Sequence, residues 1–283
     1  MNKLPDTHIL LEKLAPFLHE GRGGTGVGRE GIRLLSEETG MSERVVMTEL
    51  LSRNLWPERF SRCRGVFSAG ALARLLSTRI LVAGCGGLGG HAAALLARMG
   101  AGGLVLCDPD SFEESNLNRQ LFCTEKAIGR PKAEVCREGV LSIASYMDVE
   151  AHVTALDENT LPGFLKNVDF VMDCLDSVAR KKMLEEQAKK AGVPCVQGSV
   201  ARNEGLTLFD SSFALPFSKV YPEEVSGNTE GAAMNTHVLT VAGTAALMVS
   251  LLMRKLCMGR NDGGKLFHLD LSVPELETLS FSL

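Results

Sequence analysis

Five glycines fall within the seven residues Gly84-Cys85-Gly86-Gly87-Leu88-Gly89-Gly90. Glycine lets a backbone approach a phosphate closely, and the free N–H groups of a helix start favour an anion there. The run follows a short apolar stretch, Ile80-Leu81-Val82-Ala83, and precedes an Ala/Leu-rich segment from His91 to Met99. A second apolar run, Leu104 to Leu106, leads to Asp108, an acid placed to bind ribose hydroxyls. Gly84, Gly86, Gly87, Leu88 and Gly89 are therefore the candidate phosphate cradle. Farther on, Val168 to Cys174 ends at Leu175-Asp176-Ser177. A carboxylate at the C-terminal end of a buried strand faces the ligand crevice, where Mg²⁺ can bridge it to phosphates. Up to this point the pattern suits a nicotinamide enzyme as well as an ATP enzyme.

The elements needed to hold these groups follow from periodicity. Strand, glycine turn, helix, strand and acid open an α/β domain, Rossmann-like and doubly wound, with a mostly parallel sheet and helices on both faces. The spacing predicts helices over Lys132–Ile143, Arg180–Ala191 and Val238–Leu256. Strands are expected over Val149–Thr154, Val193–Gly198, Gly205–Asp210 and Lys265–Leu271, and Ser272–Leu283 is expected to cover an edge strand or dock on a partner. At 283 residues, 45% hydrophobic and 23% charged, the chain can bury a large core. A net charge of −4 gives no global reason to expect nucleic acid or membrane as a partner. No signal-peptide layout opens the sequence, and the apolar stretch Val238–Leu252 reads as too short and interrupted to span a bilayer, so a cytoplasmic protein is expected. Eight cysteines stand singly without a CxxC pair, which argues against a disulfide scaffold or a closed zinc site.

Residues 1–56 read as a small helical appendage. Leu10, Leu11, Leu14, Phe17 and Leu18 recur at helical spacing, and Gly21–Gly26, which follows no strand, reads as a linker. The stretch 34–51 has a helix-turn-helix look, with Gly40 at the turn and Ser42 as cap. Its second helix offers Arg44 and Arg53 against Glu43 and Glu49, a poor DNA-reading set, so packing or partner docking is the expected role.

Beyond Asp108 the sequence becomes far more specific. CDPDSFEESNLNRQLF, IGRPKAEV and DCLDS follow GCGGLGG in order and spacing, and residues 57–283 resemble the ThiF/MoeB/HesA family, the bacterial relatives of ubiquitin-activating enzymes. In that family ATP adenylates the C-terminal glycine carboxylate of a small ubiquitin-like carrier. The resemblance implies that Arg119 and Lys132 contact phosphates, that Asp108 and Asp110 belong to the nucleotide site, and that Asn116 and Gln120 fix the nucleotide and its loop. Asp176 matches the magnesium-associated acid, and Asp173 reads as structural. Arg62, in Pro57-Glu58-Arg59-Phe60-Ser61-Arg62, matches an arginine that reaches across a homodimer to the partner's ATP. Cofactors are thus ATP and Mg²⁺, and the partner a β-grasp sulfur carrier. A crossover loop is expected over about 211–236. Because no cysteine lies between Cys195 and Cys257, the chemistry is expected to stop at the acyl-adenylate, leaving sulfur transfer to a separate sulfurtransferase.

Two further readings compete. A tRNA threonylcarbamoyl-adenosine dehydratase shares NxNRQ and the DS after the carboxylate strand and also lacks the zinc clamp, but would favour a basic tRNA-binding face. A catalytically idle dimer that binds DNA or a partner would not need Arg119, Lys132 and Asp176 together.

Overall fold

A computed structural model describes residues 4–21, 24–209, 211, 220, 235–260 and 263–281. The N-terminal part contains helices α1 (Thr7–Leu14), α2 (Arg29–Thr39) and α3 (Glu43–Ser52), with strands β1 (Leu18–Gly21), β2 (Gly24–Val27) and β3 (Trp56–Pro57). The anticipated turn is present: Gly40 ends α2 at φ +68°, and the Ser42 hydroxyl accepts from Val45 N at 3.4 Å to cap α3. The glycine run expected as a linker instead has both flanks paired as a hairpin, from Leu18↔Val27 to Gly21↔Gly24. Space explains it in part, since a Cβ at Gly26 would overlap the Glu58 side chain. Arg44 donates to the Leu76 carbonyl at 3.1 Å, and Arg53 donates to the carbonyls of Leu4 and Pro5. The two cations of the second helix are thus spent on internal contacts rather than offered to DNA.

Helix α4 (Ala69–Leu76) leads into the main sheet: β4 (Arg79–Ala83), α5 (Gly87–Met99), β5 (Gly103–Cys107), α6 (Lys132–Ile143), β6 (Asp148–His152), α7 (Leu161–Leu165), β7 (Phe170–Asp173), α8 (Val178–Ala191) and β8 (Cys195–Ala201). After it come β9 (Glu204–Phe209), α9 (Val238–Met258), β10 (Lys265–Asp270) and β11 (Glu275–Ser280). Among the described residues the strand order is β11-β10-β9-β8-β7-β4-β5-β6, parallel from β8 to β6 and antiparallel from β9 to β11. Alternation within β4 sends Ile80 and Val82 to a core shared with α5, α6 and α9, and Leu81 and Ala83 to one shared with α7 and α8. From β4 the chain winds outward through β5 and β6, then returns to β7 and β8 on the other side. That reversal puts a switch point between β4 and β7, where ligands of open α/β sheets bind.

One expectation needs correction. The helix expected over Val238–Leu256 is α9, Val238–Met258, and its apolar stretch is not too short: its 21 residues are, by length and composition, long and apolar enough to cross a membrane. In this fold it is a core helix, with Val241, Ala245, Met248 and Leu252 buried against α5, β8 and β9. The C-terminal segment takes the first of its two expected roles: β11 pairs antiparallel along the outer side of β10 and covers it, becoming the exposed edge of the sheet in its place. The expected crossover loop lies almost wholly outside the described residues.

Phe60, in the 3-10 turn Glu58–Cys63, joins the N-terminal core to the sheet domain: it is fully buried and its ring fits against Gly100, whose φ of +103° ends α5. Phe60→Ala is expected to lower the unfolding free energy by about 3–5 kcal/mol, measured by urea denaturation; a loss under about 1 kcal/mol would contradict this anchoring role.

Candidate nucleotide site

The turn between β4 and α5 is built for close main-chain contact. Gly84 has φ +90°, and a Cβ there would lie 2.9 Å from the Cys174 carbonyl oxygen at the end of β7. A Cβ at Gly89 would overlap the Gly84 carbonyl. Gly86 precedes α5 without a side-chain cap, so the first-turn N–H groups are free for an anion. Leu88, expected in the cradle, sends its side chain into the core and contributes only its backbone.

Asp108, 5% exposed, lies beneath this turn at the end of β5. Its Oδ2 accepts from Cys85 N at 2.6 Å and its Oδ1 from Asp110 N at 2.8 Å. Burial pushes this carboxyl above the usual range, while the two backbone donors and nearby Lys132 pull the other way. Lys132 is the first residue of α6; its Nζ sits 2.9 Å from Asp110 Oδ2, and its backbone N donates to the Asp110 carbonyl. Asn116 is buried and accepts from Glu113 N at 3.2 Å, which shapes the turn leading to Arg119. The Gln120 amide faces Gly86, 3.6 Å from where a Cβ would stand, and its Oε1 is buried without a partner. Arg119 has its carbonyl beside Gly87, but its guanidinium is exposed and folded onto Ser115 O (2.7 Å) and Asn118 Oδ1 (2.9 Å).

The glycine turn, Asp108, Asp110, Asn116, Arg119, Gln120 and Lys132 therefore converge. Asp176 is exposed in the turn after β7, two residues beyond the carbonyl that packs on Gly84. Arg62 does not join them within one chain. Its turn packs through Phe60 on the C-terminal end of α5, the opposite end from the phosphate cradle. Two neighbours escaped the sequence reading. Lys181 of α8 is buried against Asp173, Nζ to Oδ1 at 3.1 Å, and also donates to the Gly198 carbonyl at 2.6 Å. Gln197 is buried beside Asp173. A lysine eight residues after a strand-end aspartate was the one readable signal for the pair.

The residues suit a nucleoside triphosphate: a backbone cradle with a free helix start, a buried acid on the β5 side, and cations at 119 and 132. For Mg²⁺, Asp176 is a single carboxylate, and among the described residues no cluster of three or more His, Cys, Asp or Glu could hold a metal. That suits an ion which takes most of its oxygens from phosphates and water.

A model described as the ThiF family matches residues 60–281. The chain belongs to the ThiF family. Among ThiF-related proteins it is 31% identical over 205 residues to the adenylyltransferase and sulfurtransferase MOCS3 of Drosophila ananassae, covering 70% of this chain and 45% of that protein. The chain thus spans less than half the length of that relative. It is 29% identical over 202 residues to the molybdopterin-synthase adenylyltransferase of Haemophilus influenzae, covering 70% and 82% of the two chains. In fold it is similar to E. coli MccB crystallised with AMPCPP and MccA, with a TM-score of 0.69, 15% identity, and coverage of 99% of this chain and 90% of that one. E. coli tRNA N6-threonylcarbamoyladenosine dehydratase gives 0.61 at 23% identity, over 71% of this chain and 95% of its own.

Asp108→Ala strands the N–H groups of Cys85 and Asp110. It is expected to cost about 1–3 kcal/mol of stability and to weaken ATP binding at least about tenfold, read by calorimetry on protein that circular dichroism shows folded. Unchanged ATP affinity would remove Asp108 from the site.

Proposed function

We propose that this chain is an ATP-dependent adenylyltransferase that converts a terminal carboxylate to an acyl-adenylate and releases pyrophosphate. The observation that carries the reading is the glycine cradle with Asp108 and Lys132 converging on it, in a chain matching the ThiF family over 60–281. A carboxylate oxygen attacks the α-phosphorus; the bond from that phosphorus to the bridging oxygen breaks and pyrophosphate leaves. The chain's task is to bring two anions together and offset their charge. The start of α5 and Lys132 hold phosphate oxygens, Asp108 holds ribose hydroxyls, and Asn116 and Gln120 fix the intervening loop. Arg119 swings from Ser115 and Asn118 to the phosphates. Asp176 would hold Mg²⁺, which adds positive charge among the phosphates when bound. Arg62 enters from a second copy in a homodimer.

For the substrate we favour the glycine tail of a small ubiquitin-like sulfur carrier of the β-grasp kind, in the cytoplasm, serving thiamine, molybdopterin or a related pathway with a separate sulfurtransferase. The naming of the Haemophilus relative as a molybdopterin-synthase adenylyltransferase supports this choice. One observation favours a second reading. MccB, crystallised with MccA, aligns over 99% of this chain, whereas the relatives most similar in sequence cover about 70%. A substrate of the MccA kind, engaged with help from residues 1–56, would account for that whole-chain likeness. The dehydratase reading rests on a fold likeness over 71% of the chain and has no such support.

ATP–pyrophosphate exchange with Mg²⁺ separates these readings, using a Gly-Gly-ending carrier, MccA, bulk tRNA or no addition. Exchange is expected with the carrier, and stimulation by tRNA alone would overturn the assignment. Arg119→Ala, Lys132→Ala and Asp176→Ala are each expected to reduce exchange at least about 100-fold without loss of fold. Mixing inactive Arg62→Ala and Lys132→Ala proteins should restore roughly a quarter of the activity, since half the dimers then carry one intact site. No restoration would place Arg62 outside the partner's site.

A further inference from the structure

Strand β8 carries a buried polar group that the fold leaves without a partner. Gln197 on β8 is 3% exposed, and neither its Nε2 nor its Oε1 has a hydrogen-bond partner. Its register partner on β7 is Asp173, also fully buried. Asp173 Oδ1 accepts from Leu175 N and Lys181 Nζ, both at 3.1 Å, but Oδ2 has no partner. Register partners on neighbouring strands stand side by side on one face of a sheet, so one open donor and two open acceptors lie together. A buried carboxamide without partners costs stability, and an apolar side chain of similar shape would avoid that cost.

Position decides what could satisfy these atoms. Asp108 ends β5, on one side of β4, so the ribose lies toward β5. Strands β7 and β8 lie on the other side of the switch point, the side left for the group that receives the adenylyl. A nucleobase is therefore misplaced for Gln197. Asp173 Oδ2 would repel a carboxylate, so the occupant is neutral and carries both an N–H and a carbonyl. One residue of an extended peptide presents both on the same side, and a peptide tail must pass here to deliver its terminal carboxylate.

We infer that Gln197, with Asp173 beside it, is a positioning and specificity residue that binds the peptide main chain of the acyl substrate. Nε2 donates to the carbonyl of one extended tail residue, and Gln197 Oε1 accepts the N–H of that same residue. The site thereby selects a peptide tail over a free carboxylic acid. This inference rests on the adenylation reading above.

The test uses the full-length chain and Gln197→Met, with a peptide ending in Gly-Gly and analogues in which each of the last three peptide N–H groups is replaced in turn by an ester oxygen. In the wild type one ester should lower kcat/KM for pyrophosphate exchange by about tenfold. Gln197→Met should treat that ester and the parent amide alike, with a raised KM for peptide and an unchanged KM for ATP. Without substrate, Gln197→Met should melt about 2 °C higher, because an unsatisfied amide has been removed. Persistent amide-over-ester preference in the variant, or a lower melting temperature, would make Gln197 a structural residue held by water or protein and overturn the inference. A wild type that binds ATP yet exchanges with none of the probes would instead sink adenylation of a peptide tail, and this inference with it.

Discussion

No atom fits where a side chain at Gly84 or Gly89 would begin, and the rest of the site depends on that constraint. The end of β4, the turn after β7 and the first turn of α5 meet through main chain alone, with the Gly84 Cβ position 2.9 Å from Cys174 O. Three consequences follow from one close approach. The open start of α5 is aimed at the switch point. Cys85 N turns downward to Asp108 at 2.6 Å, tying the cradle to β5. The segment from Asp173 to Asp176 is pinned to the same turn, so a strand-end carboxylate stands beside the phosphate-binding backbone. A Cβ at Gly84 would push against the turn after β7, and one at Gly89 would push α5 off the end of β4, so either effect would reach beyond local strain.

The electrostatics are local rather than global. The chain is net negative, yet it concentrates backbone N–H groups and the cations at 119 and 132 around one small volume. Asp108 and Asp173 are both raised by burial, and each is countered differently: Asp108 mainly by two backbone donors, Asp173 chiefly by Lys181. Acid under the cradle therefore does not cancel its attraction for phosphate, because its oxygens already accept N–H groups. The thiols around it are inert for the same reason of burial. Cys107 is pushed up to about 12, and Cys174 and Cys195 are raised as well, the opposite of what an acyl-accepting thiolate requires.

What could be read in the sequence was whatever depends on neighbours along the chain. Strand β4, the glycine turn, α5 and Asp108 were legible because a short continuous apolar run, a glycine cluster and a strand-end acid sit within thirty residues, from 79 to 108. Ser42 and Gly40 were legible as caps because capping is local chemistry. The β1–β2 hairpin was not, since its glycine-rich strands carry almost no apolar alternation and depend on packing against Glu58. Gln197 and Lys181 were also hidden. Their meaning arises only when β8 and α8 are brought beside Asp173, and neither residue type signals burial. The membrane-length reach of α9 was missed because its apolar stretch was taken to end at Leu252, although the helix was expected to Leu256 and runs to Met258.

Helix α5 also sets the distance that makes a second copy useful. Its 13 residues span about 20 Å, with the phosphate cradle at one end and Gly100, packed on Phe60, at the other. Arg62 lies two residues past that anchor, so the rigid body that positions Phe60 also holds Arg62 away from its own chain's phosphates. Loop motion cannot easily close such a gap without pulling Phe60 from the core shared by the N-terminal part and the sheet domain. Under the reading proposed above, a two-fold arrangement answers this with no rearrangement: one copy's cradle faces the other's turn at residues 58–63, and the same contact occurs twice. The phosphate charge would then be met by groups from two bodies, and assembly would become a condition of catalysis.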